Sequence, residues 1–440
     1  RTLKIMTKKN SFSWIVIPLL IVACTTTEKT VDPNQTEKFN REIKEKMARE
    51  TEVSLPQSAT AEDQFFSVTA LGAGKIEISP SKESYYYLSW SIGTQIPIEC
   101  YLYKERTDVA NSVRNMTEAL TRESEVKQLV DLKAGVVNNR PYLMTNHFFI
   151  GQFNEKKVVT SIKIASASLT EHAFSCIHSE LGYGDTFEKV FRSALEGLKI
   201  LYPFSNNGPV VHNEVALVTI NDHTFGFTQD LVFKNEDRFI HYAYDTLVTP
   251  KEQGLLNYQD TVHVAASRKD GVVEKSSHAK VVNGELAFQI VVEKQEKFDY
   301  AVKGKLKGEF FEKSFSTAKG IDDIFARAKQ RTKGLKHIKS FLVHEYLPEI
   351  NPIDLVAISY LPEISQKQFV KVNIPGLSGG SDDARDEARA KIDAEGHIAV
   401  MEFPRLRLLV KRYEQNSETQ RGLASKPIQE TKNKKRDKKK

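Results

Sequence analysis

Residues 261–292 read TVHVAASRKDGVVEKSSHAKVVNGELAFQIVV. Two hairpin signals stand in series here. Asp270-Gly271 separates Thr261–Ser267 from Val272–Ser276, and Asn283-Gly284 separates Ala279–Val282 from Glu285–Val292. Both dipeptides tolerate the positive φ angles of a type I′ turn, and the flanking runs are rich in β-branched residues. The pattern extends in both directions. Ile240, Tyr242 and Tyr244 alternate with His241, Ala243 and Asp245, and Phe298, Tyr300 and Val302 alternate toward Gly304 and on to Phe315. Period-two alternation between turn signals predicts long antiparallel strands. Residues 210–413 are therefore read as a β-rich antiparallel meander, either a sandwich with a solid core or a curved half-barrel with an apolar concavity. One helix interrupts it at Ile321–Lys333. The last strands, Ala388–Asp393, His397–Phe403 and Leu406–Tyr413, are expected to pair back onto the meander.

The stretch before Pro203 has a different rhythm. Phe65–Leu71, Lys75–Ser79, Tyr85–Ile92 and Ile98–Lys104 read as strands divided by Gly and Pro. Val109, Val113, Met116 and Leu120 then recur at helical spacing behind Asp108, a candidate N-cap. Strands follow at Lys127–Lys133, Tyr142–Ile150, Val158–Ser166 and Ala173–His178. Asp185 and Glu188 have capping-box spacing, and Phe187, Val190, Phe191, Ala194, Leu195 and Leu198 share one helix face. The expectation for 63–203 is an α/β sandwich of mainly antiparallel strands with two helices, which makes the chain α+β. This order of elements resembles the PsbP-like fold of small bacterial lipoproteins. The resemblance implies a binding or assembly module and transfers no functional residues. Pro203 to Pro209, through Ser205-Asn206-Asn207-Gly208, reads as a linker.

The N-terminal region carries an address. Thr7-Lys8-Lys9-Asn10 is a short basic segment, Phe12 to Ala23 is apolar with Pro18 inside it, and Ile21-Val22-Ala23-Cys24 closes the run. A spanning helix needs about 20 apolar residues, so this run is too short. Residues 6–24 resemble the signal of the bacterial lipoprotein class. That resemblance implies cleavage before Cys24, a diacylglyceryl thioether on its sulfur, palmitate on the mature N-terminus, and a place in the cell envelope. The same resemblance implies a periplasmic setting, and that Thr25, a residue other than Asp after the cysteine, favours the outer membrane over the inner one. Several acyl chains on one cysteine make release from the membrane negligible. Residues 25–62, poor in large apolar groups, read as a polar tether with a charged helix between Glu37 and Glu52.

The net charge of +6 comes from the two ends. Arg1, Lys4, Lys8 and Lys9 lie at one, and Lys432, Lys434, Lys435, Arg436, Lys438, Lys439 and Lys440 at the other. The body between them is slightly acidic, which argues against nucleic acid as a partner. Residues 414–440 read as a disordered basic tail able to touch anionic lipid, lipopolysaccharide or wall polymer. Besides Cys24 the chain has Cys100 and Cys176. In an exported compartment two such cysteines pair as a disulfide; the alternatives are two buried thiols, or a nucleophilic thiol served by His178 or His147.

No Gly-x-Ser-x-Gly elbow, His-Glu-x-x-His, P-loop or Cys-x-x-Cys occurs, so no catalytic residue, metal ligand or cofactor is assigned. His241, His263 and His278 fall on meander strands and could converge, though strand histidines are more often structural than ligating. Asp382-Asp383 with Asp386-Glu387 lacks the ligand pattern of a calcium loop. The expected role is non-catalytic, binding or scaffolding at the membrane surface with an envelope protein as partner. The alternatives are a carrier of an apolar ligand or lipid, and a hydrolase.

Overall fold

The computed structural model describes residues 33–413, except 81, 123, 154–155, 202–206, 251–255, 307, 337–339, 364–367, 377–384 and 394–396. The described chain is mainly antiparallel β with four α-helices, and none of these helices is long and apolar enough to cross a membrane. The chain divides into two units between Met47 and Ala48. The first contains α1 (Pro33–Met47), with Lys44 and Lys46 in the last turn, where exposed carbonyls favour positive charge. The charged helix expected to reach Glu52 therefore stops earlier.

The second unit begins with β1 (Pro56–Thr60), β2 (Phe66–Leu71), β3 (Glu77–Ile78), β4 (Tyr85–Trp90), β5 (Ile98–Tyr103) and α2 (Val109–Thr121). It continues with β6 (Ser124–Val137), β7 (Arg140–Phe153), β8 (Lys156–Ser168), β9 (Ala173–His178), α3 (Gly184–Gly197) and β10 (Lys199–Ile200). Strands β1-β2-β10 form a small sheet, and β3-β4-β5-β9-β8-β7-β6 a seven-stranded one. The apolar stripe of α3 read from the sequence is fully used: Phe187, Val190, Phe191, Ala194 and Leu195 enter one core with Phe66, Leu88, Trp90, Ile98, Leu102 and Phe174. The polar stretch 25–62 is not all tether. Val53 and Ala61 lie in that core, and β1 pairs with β2 from Pro56↔Leu71 to Thr60↔Ser67. The side chains of β1 are half-buried at best; its backbone ladder makes it a strand, so hydrophobic patterning gave no sign of it.

Cys100 of β5 and Cys176 of β9 face each other in register and form a disulfide with Cα atoms 4.0 Å apart. The bond links residues 76 positions apart inside the core, so its sulfurs are shielded from reductant. Replacing both cysteines with serine should cost about 4 kcal/mol through the entropy regained by the unfolded chain. A urea titration that moves by less than about 1 kcal/mol would contradict this.

After residue 209 come β11 (Val210–Ile220), β12 (His223–Asn235), β13 (Arg238–Pro250), β14 (Leu256–Arg268), β15 (Val273–Val282), β16 (Glu285–Lys294), β17 (Asp299–Leu306) and β18 (Glu309–Ser316). Then follow α4 (Ile324–Lys336), β19 (Phe341–Glu345), β20 (Val356–Pro362), β21 (Phe369–Pro375), β22 (Arg385–Ile392), β23 (Ile398–Phe403) and β24 (Leu408–Arg412). All fourteen strands belong to one antiparallel sheet, ordered β18 back to β11 and then β24 back to β19. The last strand does pair back onto the meander, with Ala216↔Arg412 through Ile220↔Leu408. Asn283 and Gly284 have φ of 52° and 82°, as a type I′ turn requires. The other expected I′ turn differs. Only Gly271 is left-handed there, and the Arg268 amide donates to the Val272 carbonyl across a longer loop.

The sheet curls. Tyr346, just past β19, stacks on Phe315 of β18 with ring centroids 5.7 Å apart, and Lys280 of β15 pairs with Glu349. The segment that follows edge strand β19 therefore meets β18 and β15 across one face. That face is apolar toward β16–β18, where Phe288, Ile290, Val292, Tyr300 and Val302 cluster. It is apolar again toward β19–β22, with Val343, Ile358, Tyr360, Val370 and Val372. A third core, of Val109, Val113, Leu143, Ile162, Phe227 and Val248, joins α2 and the seven-stranded sheet to the opposite face of the long one.

Candidate functional site

The polar middle of the curled face is built by register. Asp230 of β12 and His241 of β13 are diagonal neighbours, since Asp230 pairs with Ala243 and Val232 with His241. Ala243 also pairs with His263 of β14, and His263 with His278 of β15. Alternation on four adjacent strands thus puts Asp230, Asp245 and three imidazoles on one side. His241 Nε2 lies 2.7 Å from Asp230 Oδ1. The rings of His263 and His278 stack with centroids 3.8 Å apart, and Tyr346 meets His278 edge-on at 5.6 Å.

Helix α4 closes over this stripe. It starts at Ile324, later than the expected Ile321, because Asp323 Oδ1 accepts the Ala326 amide as an N-cap. Ile321 stays outside the helix, its carbonyl accepting the Val273 amide. From α4, Phe325 touches His212 of β11 and Phe239 of β13. Arg327 donates to Glu345 Oε2 of β19 at 2.8 Å, and Arg331 lies 3.6 Å from Glu345 Oε1. The helix therefore bridges the two halves of the sheet, through ring contacts to β11 and β13 on one side and a part-buried ion pair to β19 on the other.

Burial raises the cost of charge throughout this stripe. It pushes the His278 pKa down to about 3, helped by Arg327 and His241. His263 is driven well below its ordinary value by burial, then by His278 and His241. For Asp230, burial pushes upward, but the His241 hydrogen bond and charge overcome it and the carboxyl titrates low. Asp245 is reached by water yet crowded by protein, and it shifts upward through desolvation and then repulsion from Asp230 and Glu349; its contact with water tempers the shift.

An Asp–His pair can activate a hydroxyl. The hydroxyl nearest in register is Ser276, two residues before His278. Its Oγ is buried without a hydrogen-bond partner, as is His278 Nε2, so no nucleophile is joined to the pair. Stacked imidazoles present ring faces to each other, not converging nitrogens. Among the described residues, no group of three or more His, Cys, Asp or Glu is placed to hold a metal ion. The cleft between His241, His263, His278, Arg327 and Tyr346 has room for about one water.

A second polar cluster joins the two sheet systems. Asp260 of β14 accepts the amides of Ala110 and Asn111, the Asn111 side chain and the Thr246 hydroxyl. It is the working N-cap of α2, since the expected cap, Asp108, makes no side-chain capping bond. Burial, and after it the charge of Asp108, raise the Asp260 carboxyl to about 6 even against the hydrogen bonds from Asn111, Thr246 and Ala110, which favour its ionised form. Beside it, Arg106 lies over the Tyr244 ring at 3.0 Å and donates to Gln229 and the Leu169 carbonyl. The expected capping box of α3 is likewise replaced: Glu50 accepts the amides of Asp185 and Thr186, while Glu188 pairs with Lys133. Neither remote cap has a local sequence signature.

Cys24, the basic tail Lys432–Lys440, and Asp382-Asp383 lie outside the described residues. Cys176 is bonded to Cys100, so it offers no thiol to His178 or His147. His178 Nε2 instead lies 3.2 Å from both the Thr94 hydroxyl and the Ile96 carbonyl. Neither ring nitrogen of His147 has a hydrogen-bond partner.

No family model matches the chain, and no curated protein matches it in sequence. Among solved structures there is a distant likeness to a β-barrel-like protein, a domain of unknown function (DUF1849) from Brucella abortus. The two are 13% identical, the match covers 47% of this chain and 97% of that one, and the TM-score is 0.35.

Proposed function

We propose that this chain is a lipid-anchored cell-envelope protein with a non-catalytic binding or scaffolding role at a membrane surface. The observation that carries the role is the filled interior of the long sheet. Phe288, Ile290, Val302, Val343, Val370 and their neighbours occupy it together with α4 and the Arg327–Glu345 pair. A protein that packs its own concavity offers its outer surfaces to partners. The envelope assignment rests on the signal-like run ending at Cys24, and the core disulfide supports it because such bonds persist in oxidising compartments. Thr25 favours the outer membrane. The basic tail adds a salt-sensitive attraction to anionic surfaces beside the lipid.

The anchor has a direct test. Cys24→Ser removes the only thiol in the signal run, so the variant should lose metabolic palmitate labelling and keep its uncleaved N-terminus. Labelling equal to that of the natural chain would refute the anchor.

A further inference from the structure

Strands β4 and β5 carry Tyr85, Tyr87, Tyr101 and Tyr103 on the face turned away from the core, while Tyr86, Leu88, Trp90, Cys100 and Leu102 point into it. The register sets Tyr85 opposite Tyr103 and Tyr87 opposite Tyr101. Ring centroids are 5.6 Å apart for Tyr85–Tyr101, 5.5 Å for Tyr87–Tyr101 and 6.4 Å for Tyr101–Tyr103. Each ring keeps part of its surface in water.

One row further along the same face lie Glu77, Ser89 and Glu99. Glu99 Oε2 is 3.5 Å from the Tyr101 hydroxyl. Tyr101 is pushed up to about 12, by burial and then by the charge of Glu99. At the rim, Lys82 Nζ sits 5.4 Å from the centre of the Tyr85 ring, so one ring already receives a cation.

We infer that this tyrosine–glutamate face docks a lysine- or arginine-bearing peptide segment, with cationic heads over the rings and against Glu77 and Glu99. The complementarity is one of charge: aromatic faces are negative at their centres, and the two carboxylates add to that field. Anionic lipid or wall polymer would be repelled, and a neutral sugar would use the rings while leaving both carboxylates without a counter-charge. The tyrosines are held by cross-strand stacking, so little ordering is lost on binding. The inference gives a partner chemistry to the binding role proposed above. It does not depend on the lipid anchor.

The test uses the full-length detergent-extracted protein and a fluorescent octalysine peptide, read by anisotropy at low and physiological salt. Binding should be seen, weaken as salt rises, and fall roughly tenfold in the Glu77→Gln/Glu99→Gln variant. Tyr87→Leu/Tyr101→Leu should have a similar effect; if that variant melts early, the glutamine pair, which leaves every ring in place, decides the matter. Equal binding by the natural chain and the glutamine variant would overturn the inference. So would preference of this face for a neutral oligosaccharide or an anionic vesicle. A failed peptide experiment alongside normal palmitate labelling would remove this face and leave the anchor intact.

Discussion

Exchanging His263 and His278 for phenylalanine is expected to flatten the acid branch of the stability curve. Both imidazoles are held neutral in the folded chain, His263 far below its ordinary value and His278 at about 3. The unfolded chain binds a proton at each near pH 6.5. Below that pH the unfolded state carries more protons than the folded one, so stability falls as pH falls, until the folded pKa values are reached. Each imidazole contributes about 1.4 kcal/mol per pH unit within that window. The natural chain should therefore lose about 3 kcal/mol per unit relative to the double variant between pH 6 and pH 4. Comparing the pair of proteins cancels groups that shift the other way, such as Asp260 and Asp245. Phenylalanine preserves the stacked rings and their contact with Tyr346, so little cost is expected at pH 7. Parallel urea-stability profiles for the two proteins would show that the stripe is not neutral when folded.

Asp260→Ala should be the most damaging single change, at about 3–5 kcal/mol. It strips the N-terminal amides of α2, the Asn111 side chain and the Thr246 hydroxyl of their shared acceptor, all within a buried junction. It also removes the nearest carboxylate partner that the long sheet supplies to α2. Asp108→Ala should cost far less, since Asp108 forms no capping bond. Denaturant unfolding of both variants checks this. Equal effects would return the cap to Asp108.

The hairpins show how much of the fold the sequence carried. Asn283-Gly284 announced its turn because glycine reaches positive φ without strain. Asn138-Asn139 and Asn221-Asp222 also place both residues at positive φ, between 50° and 66°, and join β6 to β7 and β11 to β12. They lacked the glycine that makes such a turn conspicuous, although Asn and Asp are the next most tolerant residues. The apolar faces of α2 and α3 were legible from 3.6-residue spacing. Their caps were not, because Asp260 and Glu50 arrive from about 150 and 135 positions away. Convergence of His241, His263 and His278 could be anticipated from alternation. The Arg327–Glu345 bridge above them could not, since it depends on where α4 crosses the curled sheet.

Native mass spectrometry of the protein extracted in mild detergent weighs the covalent anchor and any guest in the sheet together. The expected species is a chain beginning at Cys24, heavier by its acyl groups, with no apolar molecule retained when the detergent is stripped. A chain without lipid at Cys24, or a lipid-sized guest held non-covalently in stoichiometric amount, would contradict this expectation.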